Sequence, residues 1–236
     1  MTAVEVVLIH LGGRPPRFLR DACRQIELVA RRSPIVVVAH RGSPPPPGPR
    51  LERFRATERM SQLGLGGFWR YACERFFVLE DTMRARKLRH CLHLESDNLL
   101  YADPARIEPW LSTTYADDVA VCPLTGDEDT AAVMYVGSLA ALAAFNERLV
   151  DLVALGPEGL LARYGGAMGN EMRMLHLLRV EFGLARALPT TRDHAARLGA
   201  PAVFDAASYG QWVDGTPEAA GVPYRSLYSL QDLGLG

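Results

Sequence analysis

Residues 91–104 read Cys91-Leu92-His93-Leu94-Glu95-Ser96-Asp97-Asn98-Leu99-Leu100-Tyr101-Ala102-Asp103-Pro104. An apolar run enters two carboxylates two positions apart, Glu95 and Asp97, and a second apolar triplet follows. Read as a buried strand, Leu92–Leu94 puts both acids at its carboxyl end, where open α/β sheets take their ligands. Side chains two apart on a strand share a face. If the strand conformation persists, Glu95 and Asp97 converge and Ser96 points away. Two converging carboxylates suit a hard divalent cation such as Mg²⁺ or Mn²⁺, which takes oxygen ligands and leaves places for phosphate and water. The competing reading is a capped, solvated turn.

The chain before this stretch builds a β-α-β unit. Val4–Leu11 is an apolar, largely β-branched run ended by Gly12 and Gly13. Phe18–Arg31 has helical periodicity, and Pro34 introduces a second buried strand at Ile35–Ala39. Two such strands joined by a helix run parallel. No G-x-G-x-x-G follows the first strand, so the dinucleotide fingerprint is missing. The glycine pair admits either a ligand close to the backbone or only a tight turn. Residues 43–49 contain four successive prolines and are expected to form a polyproline II surface segment. Arg50–Met60 is charged, with little apolar periodicity, and is expected to hold a short strand or turn. Phe68 to about Lys87 is a long helix with an aromatic face. Arg75 sits among those aromatics, placed either to reach a phosphate or acidic partner or to pair with Glu74, Glu80 or Asp81.

Beyond the central stretch, Asp103 caps a short helix over 105–112. Val119–Leu124 and Ala131–Val136 read as a hairpin across the acidic turn Asp127-Glu128-Asp129. Three adjacent acids do not converge, so this turn is expected to be a solvated tip beside an acceptor pocket rather than a metal site. Ser138 opens a helix running to about Ala154. Gly156–Gly169 reads as a glycine-rich connection, Asn170 caps another helix, and Leu184–Leu188 is a last strand. The remainder is expected to be loop-rich. The fold class is α/β, a three-layer α/β/α sandwich around a mixed, mostly parallel sheet. The whole of 1–236 is expected to form one domain, with a loop-rich 189–236 closing over the site.

Bulk properties narrow the function. The chain has 236 residues, 48% of them hydrophobic, a formal net charge of −1 and a pI near 6.6. That is enough chain for a sizeable core, and it lacks the basic footprint of a nucleic-acid binder. Lys87 is the single lysine, so arginine supplies nearly all the positive charge. The four cysteines form no C-x-x-C pair and read as reduced core thiols, implying a reducing compartment. No leader pattern opens the chain, and no apolar run reaches the roughly 18 residues of a membrane span. The expected location is the cytoplasm.

The β-α-β start, the central Leu-Glu-Ser-Asp-Asn and the later mixed strands resemble a glycosyltransferase of the GT-A type over residues 4–188. The Phe68–Leu79 helix and the Phe204–Gly215 stretch also look like parts of bacterial sugar-transferase-like proteins. The resemblance implies a metal-dependent transfer of sugar from a UDP- or GDP-linked donor to the hydroxyl of a carbohydrate, lipid or small-molecule acceptor. It assigns Glu95 and Asp97 to Mn²⁺ or Mg²⁺, with Glu95 standing where the commonest motif has Asp. Asp205 is the implied third ligand, with His194 second. His10, Gly12, Arg75, Glu95, Gly210 and Gln211 are the implied donor contacts. Glu171 resembles the general base found at the start of a late helix in inverting members, against the plain alternative of a first-turn Glu favoured by the helix dipole. A nucleotidyltransferase, with Gly12-Gly13-Arg14 as a thin phosphate loop, and a non-catalytic binding protein are the alternatives.

Overall fold

The computed structural model describes residues 4–12, 14–39, 48–63, 67–96, 98, 100–166 and 169–204. Six strands form one sheet in the order β2-β1-β3-β5-β4-β6. They are β1 (Glu5–His10), β2 (Ile35–Ala39), β3 (Cys91–Leu94), β4 (Val119–Pro123), β5 (Asp129–Val136) and β6 (Arg186–Ala187). β1 pairs parallel with both β2 and β3, and β4 pairs parallel with β6. β5 lies antiparallel between β3 and β4. The other five strands therefore all point one way, and β5 alone is reversed. The mixed, mostly parallel sheet expected from the sequence is present.

Helices cover both faces. α1 (Arg17–Val29) and α4 (Pro104–Thr114) pack on one, where Leu19, Ala22, Ile26, Ile107 and Leu111 meet Val6, Leu8, Leu92 and Leu94. On the other lie α2 (Pro49–Thr57), α3 (Phe68–Arg86), α5 (Leu139–Tyr164) and α6 (Glu171–Val180), whose apolar residues meet Val7, Ile9, Cys91, Val121 and Met134. The alternation of strand side chains divides the two cores: Leu92 and Leu94 face one layer, Cys91 the other. α7 (Arg192–Leu198) closes the described chain, tied to α4 by a 3.2 Å hydrogen bond from Trp110 Nε1 to the Leu198 carbonyl.

Several helices start where a polar side chain takes the first orphan amide. Asp103, Ser138, Asn170 and Thr191 each accept from a backbone N–H of the following turn, a device worth about 1 kcal/mol apiece.

Four segments differ from their sequence reading. Arg50–Met60 lies mostly in α2 and leads into a 3-10 turn at Met60–Leu63, with no strand. Leu51 and Phe54 are its only buried apolar helix residues, and the rest of its docking is ionic. Arg55 pairs with buried Glu74, and Arg50 with buried Glu80, which also accepts from Asn146 Nδ2 at 3.0 Å. Apolar periodicity cannot show a helix held this way. The helix from Ser138 runs on to Tyr164, breaking only at Gly156, whose φ of 69° is outside the helical region. The segment after 189 contains α7. The Leu184–Leu188 strand is reduced to two paired residues.

Candidate functional site

β1 and β3 end side by side, with Leu8 in register with Leu94. Beyond that edge the chain turns. Asn98 N–H donates to the Glu95 carbonyl at 3.1 Å, closing a turn over 95–98. Strand geometry thus stops at Leu94, and the period-two argument for joining Glu95 to Asp97 stops with it. Asp97 itself lies outside the described residues. The turn is fastened to β5 twice, since Glu95 N–H and Asn98 Nδ2 both donate to the Ala132 carbonyl, at 3.1 and 3.0 Å.

Glu95 does not stand alone at this edge. Arg75 reaches across from α3, donates one guanidinium nitrogen to Glu95 Oε1 and the other to Glu171 Oε1, the latter at 2.6 Å. The side chains of Arg75 and Glu171 keep only 11% and 5% of their exposure, whereas Glu95 keeps 28% and is the most accessible of the three. Two residues singled out separately in the sequence, 76 positions apart, meet on one cation. Arg75 pairs with neither Glu74, Glu80 nor Asp81.

The bridge sets the charge states. Burial pushes Glu171 up to about 7, further than Arg75 pulls it down. Its place in the first turn of α6, which favours negative charge, does not offset the loss of water. Burial also raises Glu95, but there the adjacent guanidinium prevails and the carboxyl ends below its ordinary value. Arg75 is weakened as an acid by its two carboxylates despite its own desolvation, so it stays charged. The two acids are thus pushed apart, one ionised and one near half-protonation at neutral pH, a pattern typical of acid–base sites.

Three further residues shape the site. His93 lies two before Glu95 on β3 and is buried; its Nδ1 donates to the Val7 carbonyl at 3.0 Å. Burial and then Arg75 lower it to about 4, so it is neutral. Tyr71, one helical turn before Arg75, covers Gly12 at the end of β1. Gly12 has φ 91°, and a Cβ there would lie 2.7 Å from the Tyr71 ring. Glycine is needed on both counts, and the space beside it holds Tyr71. Neither His93 nor Tyr71 is among the site residues expected from the sequence. The signals were there: two residues along a strand and four along a helix from residues that were chosen.

The acidic turn is not a solvated tip. Asp129 is fully buried and receives both Nε and Nη2 of Arg179, at 2.6 and 2.9 Å. Glu128 accepts from Asn170 Nδ2 at 3.0 Å, and the Asp127 carbonyl accepts from Arg173 Nη1 at 3.1 Å. The turn therefore grips α6 at its start, through Asn170 and Arg173, and at its last turn, through Arg179, and so fixes Glu171.

His10 ends β1, partly exposed, at the same edge. His194 is on α7, where its N–H is taken by the Thr191 cap. Asp205, Gly210 and Gln211 lie outside the described residues, as does Asp97. Among the described residues no three His, Cys, Asp or Glu side chains gather to hold a metal ion. Glu95 gives one oxygen to Arg75 and remains partly exposed. No helix among the described residues is long and apolar enough to cross a membrane.

No family model matches the chain, and no curated protein matches it. Solved structures do resemble it. Mouse xyloside xylosyltransferase 1 in its apo form is 9% identical, with a TM-score of 0.50 over 79% of this chain and 85% of that one. The glycosyltransferase involved in glycosylation of the major capsid of PBCV-1 is 11% identical, with a TM-score of 0.45 over 83% and 89%. The glycosyltransferase GlyE of Streptococcus pneumoniae TIGR4 is 15% identical, with a TM-score of 0.48 over 83% of this chain and half of that one. At these identities the likeness is one of fold, and this chain has the α/β fold that mouse xyloside xylosyltransferase 1 also has.

Proposed function

We propose that the protein is a glycosyltransferase that moves a sugar from a nucleotide-diphosphate donor, UDP- or GDP-linked, to an acceptor hydroxyl, with Mn²⁺ or Mg²⁺. The observation that carries this reading is the Glu95–Arg75–Glu171 bridge at the carboxyl ends of β1 and β3. It joins a partly exposed carboxylate to a buried one tuned near neutrality. The fold shared with a xylosyltransferase agrees with it.

Glu171 is the general base. A carboxylate whose affinity for protons lies near the working pH is best matched to proton removal. It takes the acceptor's proton as the hydroxyl oxygen attacks the anomeric carbon, and the bond to the diphosphate breaks. Arg75 holds Glu171 in place and keeps a fraction of it ionised. Glu95, Asp97 and Asp205 would hold the cation, and His10, Gly210 and Gln211 would line the donor. A bound Mn²⁺ or Mg²⁺ supplies positive charge to the diphosphate leaving group. Burial of Glu171 and Arg75 keeps water from competing for the same proton. A thermal-shift screen of nucleotide sugars with and without Mn²⁺ tests the reading. A UDP or GDP sugar should raise the melting temperature only with metal present. No shift with any donor would end it, and pyrophosphate release from a nucleoside triphosphate would favour a nucleotidyltransferase instead.

A further inference from the structure

α1 buries Leu19, Ala22 and Ile26 against the sheet. The opposite side carries Arg17, Arg20, Arg24 and Leu28, spaced three, four and four residues apart, which is one outward stripe of a helix. All four are exposed, Leu28 at 72%, and Arg31 and Arg32 continue the charge just past the helix end. From 17 to 32 the chain holds five arginines against Asp21 and Glu27, although the whole protein carries a formal net charge of −1. Arg17 is 3.8 Å from Asp21. Among the described residues no carboxylate is paired with Arg20, Arg24, Arg31 or Arg32. Arg50, Arg53, Arg55 and Arg84, across the sheet, all have carboxylate partners.

Large apolar side chains flank this stripe. Phe18 is 45% exposed beside Arg17. Gln25, on the same flank two turns on, exchanges hydrogen bonds with the Leu100 backbone: Leu100 N–H donates to Gln25 Oε1 at 2.8 Å, and Gln25 Nε2 donates to the Leu100 carbonyl. The next residue is Tyr101, 72% exposed. Cations with an exposed leucine in their row, and a phenylalanine and tyrosine at their side, match a lipid head-group layer: the arginines meet anionic phosphates, and the rings and leucine reach the acyl boundary. A nucleic acid would meet no aromatic stacking platform within the stripe, and the overall charge would oppose it.

We propose that this face of α1, with Tyr101, docks the protein peripherally on an anionic membrane surface. Gln25–Leu100 then sets that surface beside the segment that follows Glu95. The proposal does not rest on glycosyl transfer, since no substrate or turnover enters its test. The full-length protein is sedimented with phosphatidylcholine vesicles, with and without about 30% phosphatidylglycerol, at low and high salt. Binding should require the anionic lipid and weaken with salt. Arg17→Gln/Arg20→Gln/Arg24→Gln, at exposed positions, should fold normally by thermal unfolding and bind at least about tenfold more weakly. Leu28→Ser/Tyr101→Ser should lose the binding that survives high salt. Arg148→Gln, on α5, should leave binding unchanged. The proposal is overturned if the wild-type protein ignores anionic vesicles at low salt. It is also overturned if the triple variant binds as well as wild type, or if polyuridylate retains the protein and the vesicles do not.

Discussion

Arg75 is shared by two carboxylates, one buried and one partly buried. Removing it would leave Glu171 and Glu95 facing each other without compensation. Arg75→Ala should cost about 3–5 kcal/mol in urea denaturation at neutral pH, and less in acid, where the carboxyls protonate. Glu171 gives a pH signature of definite sign. Its folded value, about 7, lies above its ordinary 4.5. Across that window the folded state therefore holds more protons than the unfolded one, and stability falls as pH rises, by up to roughly 3 kcal/mol. Glu95 acts in the opposite sense: its lowered value adds stability above the ordinary carboxylate range, which is lost as pH falls below it. Glu171→Gln should flatten the decline between pH 4.5 and 7, as followed by denaturation at each pH. Parallel curves for wild type and variant would contradict the assignment of the raised value to Glu171.

The element that decides where Glu171 sits is α6, and the β4–β5 turn holds it. Arg179→Ala would strand Asp129, which is fully buried, with only His176 Nδ1 left at 3.5 Å. We expect a loss of about 3–5 kcal/mol, with Asp129→Asn/Arg179→Leu recovering part of it because no buried charge then remains. Equal instability of the single and double variants would contradict this account. At the other side of the site, Gly12→Ala meets both the positive φ and the Tyr71 ring, and should cost about 1–3 kcal/mol. Adding Tyr71→Ala removes the steric part and leaves the backbone part, so the double-mutant cycle should show partial rescue in thermal unfolding.

At the scale of the molecule, what was legible in the sequence was what neighbouring residues encode. Ile35–Ala39 and Leu92–Leu94 declared themselves by apolar runs, and α6 by Asn170. The reversed β5 followed from its short link to β4. Helix α2 escaped because Arg50 and Arg55 dock on Glu80 and Glu74 through charge, not through an apolar stripe. The burial of Asp129 escaped because Arg179 lies fifty residues later, and local sequence cannot show that partnership. Glu95 stands out by its own surroundings, and Glu171 only through the resemblance. Their meeting on Arg75 is a tertiary fact, carried by the packing of α3 across the ends of β1 and β3.

The central claim is that this edge of the sheet holds a nucleotide diphosphate through a carboxylate-bound cation. Isothermal titration calorimetry of UDP and GDP, with Mn²⁺ present and with metal chelated, tests it most directly. We predict binding that needs the metal and is lost in Asp97→Ala while the variant keeps its melting temperature. Absence of nucleotide binding in the presence of Mn²⁺, or binding that survives Asp97→Ala unchanged, would contradict the account.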